Sequence, residues 1–200
     1  MKSFKQYIIE SEQSELSHVM SGPLYDGAGD DSMEHAYHAS IPSDTSPSGR
    51  TNLWISHVVR PKGSLMLPWK HHELHFTVSD SLTPDVFHTR RTELESHEAH
   101  DMREKAKTPS EIAYSIPSEK QNQVSTKYHG PATMIHIMRH MHGILERIPQ
   151  GHTILVSADS ATPEDTQRKT NAYMAMARRG ERMGLVKARP FNGHVLMVRS

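Results

Sequence analysis

Apolar side chains fall into short periodic segments separated by long polar stretches, and the clearest pattern lies in the last third of the chain. Met134, Ile137, Met138, Met141, Leu145 and Ile148 recur at helical spacing and predict one continuous apolar stripe, stopped by Pro149-Gln150-Gly151. Burying such side chains is worth about 1.5–3 kcal/mol each before the entropy of ordering them, which makes this helix a core element. Thr153-Ile154-Leu155-Val156-Ser157-Ala158 reads as a buried strand. A second helix follows from Asp165 to Met183, with Thr162 as its cap, Pro163 at its first position and Tyr173, Met176 and Ala177 on its apolar face. Gly184-Leu185 stops it, and His194 to Val198 closes the chain as a strand. The block from Val124 to Val198 is therefore helix, strand, helix, strand.

Upstream the pattern switches to period two. Asn52 to Val59 is β-rich and stops at the turn Arg60-Pro61-Lys62-Gly63. In the run through Ser79, His72, Leu74, Phe76 and Val78 share one face and His71, Glu73, His75 and Thr77 the other, so the two segments make an antiparallel pair. Ser21 to Gly49 is rich in Gly, Ser, Pro and Asp and reads as a long loop or arm. Thr92 to Lys107 predicts a solvated helix ended by Pro109, and Ile112 to Ile116 a short strand. At the start, Phe4, Tyr7 and Ile8 give a short helix one small apolar face. The expected organisation is an N-terminal helix over 1–15, a loop-rich arm over 16–50, and an α/β domain over 51–200.

Composition narrows the function classes. Lys plus Arg and Asp plus Glu balance at 23 each, so no global charge favours nucleic acid or a membrane surface. The absence of cysteine excludes disulfides, thiolate zinc sites and a cysteine nucleophile. No apolar run approaches the roughly 18 residues of a spanning helix, and Lys2, Lys5 and Gln6 interrupt any signal-peptide core, so a cytoplasmic location is expected. The excess is in histidine, with 16 residues. His71 with His75, His136 with His140, and His97 with His100 have chelating spacings, but the sequence places no third ligand beside any pair, and no metal is assigned.

Lys127-Tyr128-His129-Gly130-Pro131-Ala132 resembles the acyl-CoA pyrophosphate loop of the GNAT N-acetyltransferases, Arg/Gln-x-x-Gly-x-Gly/Ala at the start of a core helix. The similarity extends through the strand, the second helix ending in Gly-Leu and the last strand. It implies a GNAT-like central mixed sheet flanked by helices, acetyl-CoA as donor, and acetyl transfer to a small-molecule or protein amine. In physical terms, Gly130 lets backbone approach a phosphate, Ala132 keeps the helix mouth small, N–H groups of His129, Gly130, Ala132 and Thr133 converge there, and Lys127 adds a charge. Such transfer needs a base for the substrate ammonium, for which Glu73 and His75 are the candidates. The tyrosine that often precedes the final glycine of the second helix is replaced by Gly180, and Tyr173, earlier on the same helix, is the candidate acid. Lys127 and Pro131 also depart from the pattern, and Gly130-Pro131 serves equally as an ordinary turn before a core helix. Arg178, Arg179, Arg182 and Lys187 could meet an adenosine 3′-phosphate or complement a helix dipole.

Met1-Lys2-Ser3-Phe4-Lys5-Gln6-Tyr7-Ile8-Ile9-Glu10 resembles the N-terminal capsid-targeting peptides of T-even-like tailed phages, which end in an apolar-x-Glu cleavage site. That resemblance implies a bacteriophage protein, prohead components as partners, and residence in the host cytoplasm or the virion interior. It also opens an alternative to catalysis, a non-catalytic internal or structural virion protein packaged through residues 1–10.

Overall fold

A computed structural model describes residues 15–24, 31–43, 46–63, 67–97, 109, 112, 131–157 and 162–200. Seven strands form one mixed sheet: β1 (Ser17–Pro23), β2 (Met33–Pro42), β3 (Arg50–Arg60), β4 (His71–Ser79), β5 (Thr153–Val156), β6 (Val186–Phe191) and β7 (His194–Arg199). The helices are α1 (Pro84–His97), α2 (Pro131–Leu145) and α3 (Pro163–Arg182). The sheet order is β1-β2-β3-β4-β5-β7-β6, antiparallel throughout except where β4 meets β5.

The expected antiparallel pair is present, with β3 and β4 joined from Asn52↔Ser79 to Arg60↔His71. The loop-rich arm expected over 16–50 is not: it supplies β1 and the ten-residue β2, which pairs with β3 from Met33↔Val59 to Pro42↔Arg50. Its alternation is real but carried by small and polar residues. His35, Tyr37, Ala39 and Ile41 face one side, and Glu34, Ala36 and His38 the other. Ile112, expected in a strand, has helical backbone and is fully buried beside Trp54, Leu82 and Phe87. The charged helix begins earlier than expected, at Pro84, and Phe87 stacks on Trp54 with ring centroids 4.6 Å apart. The expected N-terminal helix over 1–15 lies almost wholly outside the described residues.

One face of the sheet carries the main core. Tyr37, Ile41, Leu53, Ile55, Leu74, Ile154, Val156, Val195 and Met197 meet Ile137, Met141, Ile144 and Leu145 of α2 and Met176 and Ala177 of α3. Of the apolar stripe read from the sequence, Ile137, Met138, Met141 and Leu145 lie on the core side of α2, and Ile148 is buried just past its end. Entry to α3 is also as expected, since the Thr162 hydroxyl accepts from the Asp165 N–H at 3.2 Å and Pro163 follows it. At its exit, Leu185 N–H donates to Gly180 O and Gly184 N–H to Glu181 O, each at 2.9 Å, with Gly184 at φ 71°.

The strand β6 was not expected. Lys187, Arg189 and Pro190 disguise it, and an edge position accommodates all three. Asn192 and Gly193, both at positive φ (47° and 78°), turn it into β7. No helix among the described residues is long and apolar enough to cross a membrane.

Candidate functional site

The parallel pairing of the sheet joins β4 to β5. Pairing between β4 and β5 runs only from His71↔Thr153 to Leu74↔Val156, and Ser157 N–H donates to Leu74 O at 3.3 Å just past it. There β5 ends, while β4 continues to Ser79 along β3. Peptide groups of alternate residues point to the same side of a strand, so those of Phe76 and Val78 face the side that Leu74 O faces. No described strand pairs with them.

The helix α2 leads into β5 through the turn at Pro149–His152. It packs against β2, with Ile137, Met141 and Leu145 turned to the core. Ala132 and Thr133 lie in its first turn, where backbone N–H groups lack intrahelical acceptors, and no acidic residue occupies that turn. Lys127, His129 and Gly130 lie outside the described residues.

Tyr173 reaches β4 from α3, its ring centroid 5.7 Å from that of Phe76. Burial pushes its phenol up to about 12, so it holds its proton across the neutral range. Gly180 is where α3 comes closest to β6. A Cβ there would lie 3.1 Å from Val186 Cγ2 and 3.8 Å from His142 Nε2, so the position accepts no large side chain. Arg179 and Arg182 occupy the last turn of α3, where they complement its dipole.

On the opposite face of β4, Glu73 and His75 share a side as the alternation requires, but Glu73 is not on an exposed surface. Its carboxylate accepts from Arg60 Nε at 3.0 Å, His71 Nε2 at 3.1 Å and His75 Nε2 at 3.4 Å. His71, fully buried, also places Nδ1 2.9 Å from the Trp69 carbonyl. Burial alone would raise the Glu73 carboxyl; the bonds from His71 and His75 and the Arg60 charge outweigh it and hold the group well below the usual carboxylate range. The Glu73 carboxylate, expected as a base, is thus held by three neighbours. His75, with a side chain 35% exposed, is the accessible member of the pair.

The same end of the sheet carries residues that the sequence did not single out. Arg60, expected in a turn, is the last residue of β3 and pairs with Glu73. Beneath the helices, His57, His72 and His152 form a hydrogen-bonded row. The histidine excess was the available signal; the register that aligns it was not visible. A groove of about 340 Å³ between α3 and Pro190 is lined by Arg178 but by none of Glu73, His75 and Tyr173.

Comparison with family models, with curated proteins and with solved structures returned no match.

Proposed function

We propose that this chain is an acyl-CoA-dependent N-acyltransferase-like phage protein that transfers an acetyl group to an amine. The observation that carries the reading is the half-open parallel junction: β4 outruns β5, and no described strand pairs with the edge left beyond it. GNAT-like topology offers such a junction for the donor. The exposed peptide edge at Phe76 and Val78 fits an extended amide chain such as a pantetheine arm, by strand addition. The free N–H groups at the start of α2, including those of Ala132 and Thr133, fit a pyrophosphate.

Acetyl-CoA, when bound, supplies the activated thioester carbonyl. Within the chain, His75 takes the proton that the substrate ammonium must lose, and the Glu73 carboxylate orients its ring. Tyr173, flanking the junction from the other face, holds a proton for the departing thiolate. Transfer would form the nitrogen–carbon bond as the carbon–sulfur bond breaks; of the two protons that the ammonium loses, His75 would take one, and the other would return to Tyr173 after its phenol has protonated the thiolate.

Binding tests this directly. Calorimetry and thermal shift should detect acetyl-CoA, and Gly130→Asp, which sets a carboxylate in the expected phosphate cradle, should abolish the signal. No stabilisation of the wild-type chain at millimolar acetyl-CoA removes the enzyme reading.

A second reading is a packaged, non-catalytic virion protein, favoured by the sequence of residues 1–10 and by the commitment of Glu73 to buried ion pairs. Mass spectrometry of mature virions decides it. A peptide beginning at Ser11 supports packaging, and absence of the protein from virions rejects it.

A further inference from the structure

Five histidines from successive segments lie on the helix-covered face, toward the end where α2 turns into β5. His18 and Ser21 come from β1, His35 from β2, His57 from β3, His72 from β4, and His152 from the turn before β5. Ser21 Oγ bridges His18 Nε2 at 2.8 Å and His35 Nδ1 at 2.7 Å. The His35 ring centroid then lies 5.6 Å from that of His57. From there the contacts are direct. His57 Nε2 meets His72 Nδ1 at 2.8 Å, and His72 Nε2 meets His152 Nδ1 at 2.9 Å. His57 and His72 are buried. None of these groups serves the acyl-transfer reading.

Proton counting limits what this triad can hold. Each nitrogen–nitrogen contact is a hydrogen bond only when one proton, and only one, lies between the two rings. His57 Nδ1 and His152 Nε2 are the nitrogens left outside the contacts. With every ring neutral, both contacts are satisfied and one outer nitrogen carries the remaining proton. One extra proton can still be placed, on the other outer nitrogen. A second has no such place: it leaves two N–H groups facing each other across one contact. The neighbouring charges offer no compensation. His35 on β2 and Lys70 and His71 at the start of β4 are cationic whenever charged, as is His18 on β1. Beyond α2, Arg147 lies over the Tyr37 ring, and the Arg199 guanidinium of β7 is turned away to the Leu145 and Leu185 carbonyls.

We propose that His57, His72 and His152 form an acid-triggered latch. It ties the turn between α2 and β5 to β3 and β4, stays closed while the triad holds at most one extra proton, and opens when a second binds. His152 belongs to that turn through its backbone, whose N–H donates to Pro149 O at 3.3 Å and whose carbonyl accepts from Arg199 N–H at 3.0 Å. Losing its ring contact therefore loosens the segment that delivers α2 into β5. The proton affinities run the same way. Burial, then His72 and His35, lowers His57 to about 3, and burial, then His152, Lys70, His71 and His35, lowers His72 to about 4.

The test uses the full chain with nitrogen-15-labelled histidine. At pH 7, couplings across both ring contacts should be detectable. On acidification they should disappear in the same step in which amide exchange at Thr153 and Ile154 accelerates, by about tenfold or more. In His72→Phe, which keeps a ring of similar shape and removes the middle proton carrier, that acid step in exchange should vanish. Three outcomes overturn the latch: no couplings at pH 7, imidazoles that titrate singly while exchange at the turn stays unchanged, or an undiminished acid step in the Phe variant. Should the variant fail to fold, the wild-type couplings and exchange decide alone.

Discussion

Arg60 Nε lies 3.0 Å from Glu73 Oε2, with the two side chains only 13% and 5% exposed, so the sheet buries an ion pair where β3 ends and β4 begins. Removing one partner of such a pair strands the other charge away from water, which costs more than the pair itself contributes. Arg60→Met is expected to destabilise the chain by about 3–5 kcal/mol, read by chemical denaturation. The Glu73 carboxyl should also move up in that variant, because one of the charges holding it down is gone. Equal stability of variant and wild type would mean that His71 and His75 suffice.

Gly180 tests the departure from the acetyltransferase pattern. Gly180→Tyr restores a tyrosine there, but its Cβ would lie 3.1 Å from Val186 Cγ2 in a packed helix–strand contact. The expected result is destabilisation of about 1–3 kcal/mol in thermal or urea unfolding, with no gain in acetyl transfer. A variant as stable as wild type with raised activity would move the acid from Tyr173 to position 180.

Arg199 joins two chain segments through their backbone carbonyls. Its Nε donates to Leu145 O at 3.1 Å, at the end of α2, and its Nη1 to Leu185 O at 2.7 Å, after α3. Arg199→Ala should cost about 1.5–3 kcal/mol, the range for hydrogen bonds from a charged donor. Arg199→Lys should recover only part of it, because a point charge cannot reproduce the fork. An unchanged urea midpoint in Arg199→Ala would show that water replaces both bonds.

Acid should weaken this fold. His57, His72 and His140 are all lowered from 6.5, to about 3, 4 and 4, by burial first and by neighbouring cationic groups second. The unfolded chain therefore binds more protons between pH 6.5 and those values. Stability from their neutral forms is fully present above pH 6.5 and is lost as pH falls toward 4 and then 3. Each group adds a slope of up to about 1.4 kcal/mol per pH unit within its window. Denaturation midpoints at pH 7, 6, 5 and 4 check this, and a flat profile would contradict the burial of these rings.

Much of the C-terminal block was legible because its signals are local. The stripe through Ile137, Met141 and Leu145, the Thr162-Pro163 entry and the Gly184 stop depend on residues within a few positions of one another. The shared side of Glu73 and His75 followed from alternation alone. Its burial did not, because that depends on Arg60 across a strand pair and on the bond to His71. Likewise β2 was hidden: Ala36, Ala39 and Ser40 carry little hydrophobic signal, and only β1 and β3 on either side explain why this segment is extended. Pro190 and the flanking charges concealed β6, although Asn192-Gly193 marked its hairpin. The histidine row was beyond reading, since it exists only once several strands are in register.

The parallel ladder between β4 and β5 also sets an order of assembly. On one side, β1 to β4 pair sequentially; on the other, β5 to β7 and α3 gather within the last part of the chain. The sheet becomes continuous only when four residues of β5 meet β4 across the long crossover from Ser79 to Thr153. Joining so distant a pair costs chain entropy before it yields contacts, so this seam is expected to close after both flanking units have formed. Ile154→Val and Val156→Ala should then accelerate unfolding while leaving the folding rate nearly unchanged in stopped-flow measurements. Slowed folding would instead make the seam the nucleus, and the two halves of the sheet a consequence of it.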